Sequence, residues 1–190
     1  TAVGGVQEQS ERTDGETFVR IEEQHVEQRI ARIGQRWRIA IVRACGCFFR
    51  QAGDGTTIEL SDERPLLILS ENDLEHGQLA LAAQWVGVPH APVSTAYSLV
   101  SRDFEKLRHI VRLTTPGLVF AASGSRYGEA IRAAVPADVE VVLTEGGLPD
   151  RPSTAFAALR ATTPTDAVDR ALAAVGPDTV HRLLFTSGST

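Results

Sequence analysis

From Arg64 onward, short apolar runs alternate with stretches whose apolar residues recur every three or four positions. That alternation constrains the fold more than any other feature of the chain. A run of four or five apolar residues is the length of a strand buried on both faces. A three-to-four period is that of a helix with one buried stripe. Strands and helices in strict succession give a mostly parallel sheet with helices on its faces, the α/β class.

The elements can be placed individually. Leu66 to Leu69 reads as the first strand, and Ser70 to Asp73 supply oxygens for the free N–H groups of a following helix. That helix runs from Leu74 to Val86 and stops at Gly87. Val88 to Val93 reads as a second strand, pushed toward an edge by Pro89 and Pro92. Ser101 and Asp103 open a helix with Phe104, Leu107 and Ile110 or Val111 on its apolar face, and Thr115-Pro116-Gly117 closes it. A third strand is expected at Leu118–Ala122, a helix at Tyr127–Ala134 and a fourth strand at Val139–Leu143. Residues 144–165 are rich in loop formers around a short helix at Ala155–Arg160. A final helix at Asp166–Val175 and a last strand at Val180–Thr186 complete the pattern.

Residues 1–59 do not follow it. The first seventeen are polar and glycine-containing and are expected to be disordered. Residues 18–33 have a loose helical spacing, and Gly53-Asp54-Gly55 reads as a turn. We divide the chain into a poorly defined segment, 1–59, and a partial α/β domain, 60–190. The abrupt change near Leu60 raises the expectation that the first segment is either disordered or read out of frame.

Composition narrows the partners. The chain has 190 residues, 43% hydrophobic and 23% charged, with a formal net charge of −5. No basic field is present to draw in nucleic acid or anionic lipid. No run of eighteen apolar residues suggests a membrane span. Lys106 is the only lysine, and its place between Glu105 and Leu107 on a helix reads as a solvated side chain. Cys45 and Cys47, one residue apart, lack metal-ligand spacing and are read as incidental thiols suited to a reducing cytosol. Chain-wide, methionine is absent.

The residues that point to chemistry come last. Leu183-Leu184-Phe185 runs into Thr186-Ser187-Gly188-Ser189-Thr190. Glycine lets a backbone approach a ligand closely, and successive N–H groups in such a loop form an anion-binding concavity. Hydroxyls add further donors. The Walker pattern is absent. A plain surface turn is the competing reading. Other candidates are weaker. His25, His76, His90, His109 and His181 are scattered, and His90 is better explained structurally than by ligand contact. Ser123-Gly124-Ser125 is favoured as an ordinary turn over an anion site, and Asp73 and Glu75 as helix-start residues over a carboxylate pair.

Thr186 to Thr190 resembles the first half of the phosphate loop of the adenylate-forming superfamily, which includes acyl-CoA synthetases, luciferases and peptide-synthetase adenylation domains. That loop reads roughly [ST]-[SG]-G-[ST]-[ST]-G-x-P-K-G. Arg64 to Asn72 is similar to the family's first core strand. Gly87 to Val93 is similar to the family's G-x-x-x-x-P-x segment, and Ala91-Pro92-Val93-Ser94 and Ala96 to Ser101 look most like feruloyl-CoA synthetases, with Thr95 where proline is usual. Thr115 to Phe120 fits as well. The resemblance covers about residues 60–190.

The resemblance implies part of the large N-terminal domain of an AMP-forming acid–CoA ligase, cut within its phosphate loop. The implied reaction joins a carboxylic acid, of the hydroxycinnamic kind on the feruloyl-CoA synthetase likeness, to coenzyme A at the expense of ATP and with Mg²⁺. Thr186, Ser187, Gly188, Ser189 and Thr190 would hold the β- and γ-phosphates. No catalytic residue and no protein metal ligand is expected here, so the chain alone is expected to be inactive. Small-molecule partners and a cytoplasmic location are expected. The alternatives are an adenylation domain loading a carrier protein and a non-catalytic α/β binding module.

Overall fold

The computed structural model describes residues 60–185, together with the backbone of Ser10–Thr13 and Glu16–Val19. The chain divides into two compact units, Thr1–Ile39 and Ala40–Thr190. In the first, β1 (Ser10–Thr13) pairs antiparallel with β2 (Glu16–Val19), with Ser10 opposite Val19 and Thr13 opposite Glu16. This hairpin falls where disorder was expected.

The second unit holds a parallel sheet. Its strands are β3 (Leu66–Ile68), β4 (His90–Pro92), β5 (Leu118–Ser123), β6 (Glu140–Glu145) and β7 (Thr154–Ala155). Their spatial order is β4-β3-β5-β6-β7, every pairing parallel. The helices are α1 (Leu74–Trp85), α2 (Ala96–Leu99), α3 (Glu105–Thr114), α4 (Gly124–Ala134), α5 (Phe156–Arg160) and α6 (Asp166–Ala174). The expected α/β class is therefore the observed one.

The apolar run of β3 shows why the sheet is covered on both faces. Successive strand side chains point to opposite sides. Leu66 and Ile68 join Leu118, Phe120 and Val142 against α1, α5 and α6. Leu67 and Leu69 join Val119, Ala121, Val141 and Leu143 against α3 and α4. On the first face the rings of Phe120 and Phe156 lie 5.8 Å apart.

Local chemistry sets the boundaries. Asp73 caps α1 by accepting the His76 amide at 2.7 Å. Gly87 ends that helix at φ +73°, a torsion open to glycine. Ser101 Oγ accepts from the Phe104 amide and Asp103 Oδ1 from the Glu105 amide at the start of α3. Phe104 and Thr115, which flank α3, both take positive φ without being glycine.

The expected strand at Val180–Thr186 needs correction. Among the described residues it is one isolated parallel bridge between Arg182 and His90. The reason lies on β4. His90 uses its outward N–H and C=O on His181 and Leu183, whereas the Val93 amide faces inward to Ile68. The next outward donor on that edge would come from Pro92, which has none. The ladder stops there.

Candidate functional site

In sheets of this topology ligands gather beyond the carboxyl ends of the strands, where the order reverses. Here that point lies between β3 and β5, because β4 follows β3 in sequence but lies on its far side. Ser70 and Glu71 leave β3 there, and Ser123 to Arg126 leave β5. Arg126 donates to both Glu71 carboxylate oxygens, at 3.2 and 3.3 Å, across the gap. The hydrogen bonds and charge of Arg126 hold the Glu71 carboxyl below its usual range.

Ser123-Gly124-Ser125 is not the turn expected from sequence. Strand β5 ends on Ser123 and α4 begins on Gly124 with no intervening loop. The hydroxyls of Ser123 and Ser125 bond each other at 2.9 Å. A Cβ at Gly124 would lie 2.5 Å from the Gly147 carbonyl oxygen, so the chain after β6 rests directly on the start of α4. Gly146 makes that approach at φ +73°. An exposed ion pair therefore spans the gap between β3 and β5, while the backbone contact lies between the exits of β5 and β6. Tyr127, next in the chain, is fully buried, its hydroxyl has no partner among the described residues, and burial raises its pKa.

The other place of interest is the open edge of the sheet at β4. His90 begins that strand and is fully buried. Arg182 Nε donates to His90 Nε2 at 3.1 Å. The imidazole is thus neutral, with its proton on Nδ1, and Nδ1 has no partner among the described residues. Burial foremost, then the Arg182 charge, pushes the His90 pKa down to about 4. Two backbone bonds flank this contact, His90 N–H to His181 C=O at 3.1 Å and Leu183 N–H to His90 C=O at 3.0 Å. Leu183 and Phe185 pack partly buried against the cluster of α3 and α4, while Val180 and Leu184 stay exposed.

Thr186, Ser187, Gly188, Ser189 and Thr190 lie outside the described residues, as do Cys45, Cys47 and His25. His76 lies on α1 with Nδ1 at 3.0 Å from the Glu71 carbonyl oxygen, His109 lies on α3, and neither approaches a metal-like group. Among the described residues no three His, Cys, Asp or Glu side chains cluster as metal ligands. Lys106 is not merely solvated. Its Nζ stands 5.3 Å from the centre of the Tyr97 ring, a cation–π contact between α3 and α2. Sequence reasoning also missed α2, β7 and Arg151, whose guanidinium donates to the carbonyls of Val135, Pro136, Ala137 and Val139. Nothing local in the sequence announces such a clip.

The geometry can be set beside solved structures. A red-emitting luciferase from Phrixothrix hirtus aligns at 16% identity over 83% of this chain and 36% of its own, with a TM-score of 0.53. The fold is similar to that of a luciferase. Apo MatB from Rhodopseudomonas palustris aligns at 19% identity over 79% of this chain and 27% of its own, TM-score 0.48. A fatty acyl-adenylate ligase from L. pneumophila, solved with acyl adenylate and pyrophosphate, aligns at 16% identity over 80% and 22%, TM-score 0.43. The chain thus spans about a third of the luciferase's length, 36%. No family model matches the sequence, and no curated protein matches it. Among the described residues no helix is long and apolar enough to cross a membrane.

Proposed function

We propose that the chain is the N-terminal part of an AMP-forming acid–CoA ligase and that Thr186-Ser187-Gly188-Ser189-Thr190 is the first half of its phosphate loop. The observation that carries this reading is the Arg182–His90 bridge. It sets the segment before the Ser/Gly run parallel to the sheet, heading toward the carboxyl ends of the strands, where α/β sheets bind ligands. Luciferases are among the members of the superfamily that the sequence resembles, and the fold of one of them is shared.

The chemistry asks two anions, a carboxylate and a triphosphate, to meet. The carboxylate oxygen attacks the α-phosphorus and pyrophosphate leaves. The thiol of coenzyme A then attacks the acyl carbon and AMP leaves. Backbone N–H groups around Gly188 and the hydroxyls of Thr186, Ser187, Ser189 and Thr190 would bind and orient the β- and γ-phosphates. Mg²⁺ would neutralise part of the phosphate charge. Lys106, held over Tyr97, is not placed as the loop's lysine. None of the described residues is assigned to the acyl transfer itself. Hydroxycinnamic acids such as ferulate are the proposed acids, on the resemblance of Ala91–Ser101, and a cytoplasmic location accompanies them.

The deciding experiment is an assay of the whole gene product with ATP, Mg²⁺, ferulate and coenzyme A. Feruloyl-CoA and AMP in equal amounts is the expected result. Ferulate-dependent pyrophosphate exchange without thioester would move the reading to an adenylation domain that loads a carrier protein. The absence of both reactions with a panel of acids would leave a non-catalytic α/β module.

A further inference from the structure

Resting on that reading, we propose that His90 is a positioning residue whose imidazole latches the segment bearing Thr186–Thr190 to the open edge of the sheet. The segment needs such a latch. Two backbone hydrogen bonds join it to β4, and Pro92 prevents a third donor from extending the ladder. Val180 and Leu184 on its outer side are exposed and add little burial. The polar side-chain link is Arg182 Nε to His90 Nε2 at 3.1 Å, four residues before Thr186.

The choice of a histidine supports this role. His90 lies wholly buried beside Leu66, opposite it in the ladder. An apolar side chain would fill that place without leaving Nδ1 unpaired. The ring's distinguishing contribution is an acceptor at Nε2, aimed at the incoming segment. Its burial prevents it from swinging away, so the acceptor fixes where Arg182 stands and hence where the following residues begin. His90 makes no contact with substrate on this account and acts through Arg182.

The test uses the 190-residue chain at neutral pH, with amide hydrogen exchange read at Leu183 and Val93. The Leu183 amide bonds the His90 carbonyl on the outer edge, whereas the Val93 amide bonds Ile68 on the inner side. His90→Leu removes the acceptor. Arg182→Leu removes the donor without touching the core, which keeps the test valid if the first variant folds poorly. His90→Gln keeps an oxygen near the place of Nε2. We expect Leu183 to exchange about tenfold faster relative to Val93 in both leucine variants and close to wild type in His90→Gln, on the scale of one lost hydrogen bond. An unchanged ratio in Arg182→Leu overturns the latch, and so does parallel acceleration of Leu183 and Val93. Tripolyphosphate titration of the Gly188 amide then separates the two claims. Weaker binding in the leucine variants, rescued in His90→Gln, supports latch and loop together. If Leu183 behaves as expected but no protein shows a Gly188 response, the latch stands and Thr186–Thr190 alone do not hold phosphate, so the nucleotide reading then rests on the assay of the whole gene product.

Discussion

Two places on the sheet invite comparison: the reversal point between β3 and β5, and the open edge at β4. General rules for parallel sheets favour the first. In this chain it is spanned by the Glu71–Arg126 bridge, and the exit from β5 at Gly124 is packed against Gly147 after β6. The edge is the less favoured place by those rules, yet it receives the segment that leads to the Ser/Gly run, through one bridge. The first place carries an exposed ion pair beside the packed exit of β5. The second hangs on a few hydrogen bonds around a buried histidine. A fold therefore marks where ligands can go, and particular contacts decide which of those places stays available.

The largest effect expected from this contrast is on acid stability. His90 titrates near its ordinary 6.5 in the unfolded chain and at about 4 in the folded one. Between those values the unfolded state holds more protons, so stability falls as pH drops from 6.5 and levels off below about 4. The charges bearing on the ring are Arg182 and His181 on the terminal segment and His76 on α1. The expected loss is about 3 kcal/mol, read by urea unfolding across this range. His90→Gln should remove most of that slope. A slope of equal size in His90→Gln would show that the edge is not held as described.

Next in size is the packing at the exit of β5. Gly124→Ala places a methyl 2.5 Å from the Gly147 carbonyl oxygen, a backbone atom that cannot rotate away. We expect a cost of about 2 kcal/mol, measured as a shift in the denaturation midpoint. Gly147→Ala is the control, since a Cβ there meets nothing within 4 Å. Equal costs for the two substitutions would mean that this packing is looser than its geometry indicates.

How much of this was legible follows from the range of the forces involved. Local rules worked where the cause was local. The Leu66–Leu69 run gave a strand, Asp73 a cap, Gly87 a stop, and Pro89 with Pro92 an edge. They failed where the cause lay on another element. Val180 to Thr186 has a strand's apolar pattern, but its ladder is limited by a proline some ninety positions earlier in the chain. Ser123-Gly124-Ser125 has a turn's composition, but Gly147 leans on Gly124 and the strand passes straight into α4. His90 was rightly favoured as structural. What no spacing could disclose was Arg182 as its partner.

A smaller and stabilising change tests how rigidly β5 enters the sheet. Thr115 precedes that strand at φ +43° without being glycine. Thr115→Gly relieves the torsion and forfeits a long bond, 3.5 Å, from its hydroxyl to the Glu63 carbonyl. The net expectation is a gain of about 0.5 kcal/mol, visible as a small rise in melting temperature. A loss instead would mean that the hydroxyl holds the entry to β5 more firmly than its length indicates.

The smallest expected effect is the sharpest check on the edge. Leu184 is 68% exposed although it lies between the partly buried Leu183 and Phe185. If the edge is open as described, Leu184→Ser removes a methyl-rich surface that covers nothing. Stability should then stay within about 0.5 kcal/mol of wild type. Solubility should rise, because an exposed leucine beside an unpaired strand edge invites association between chains. Concentration-dependent sedimentation of the two proteins measures this directly. A loss well above that bound would require Leu184 to be covered in solution. The edge would then be a second determined region rather than an open one, and the contrast with the reversal point would disappear.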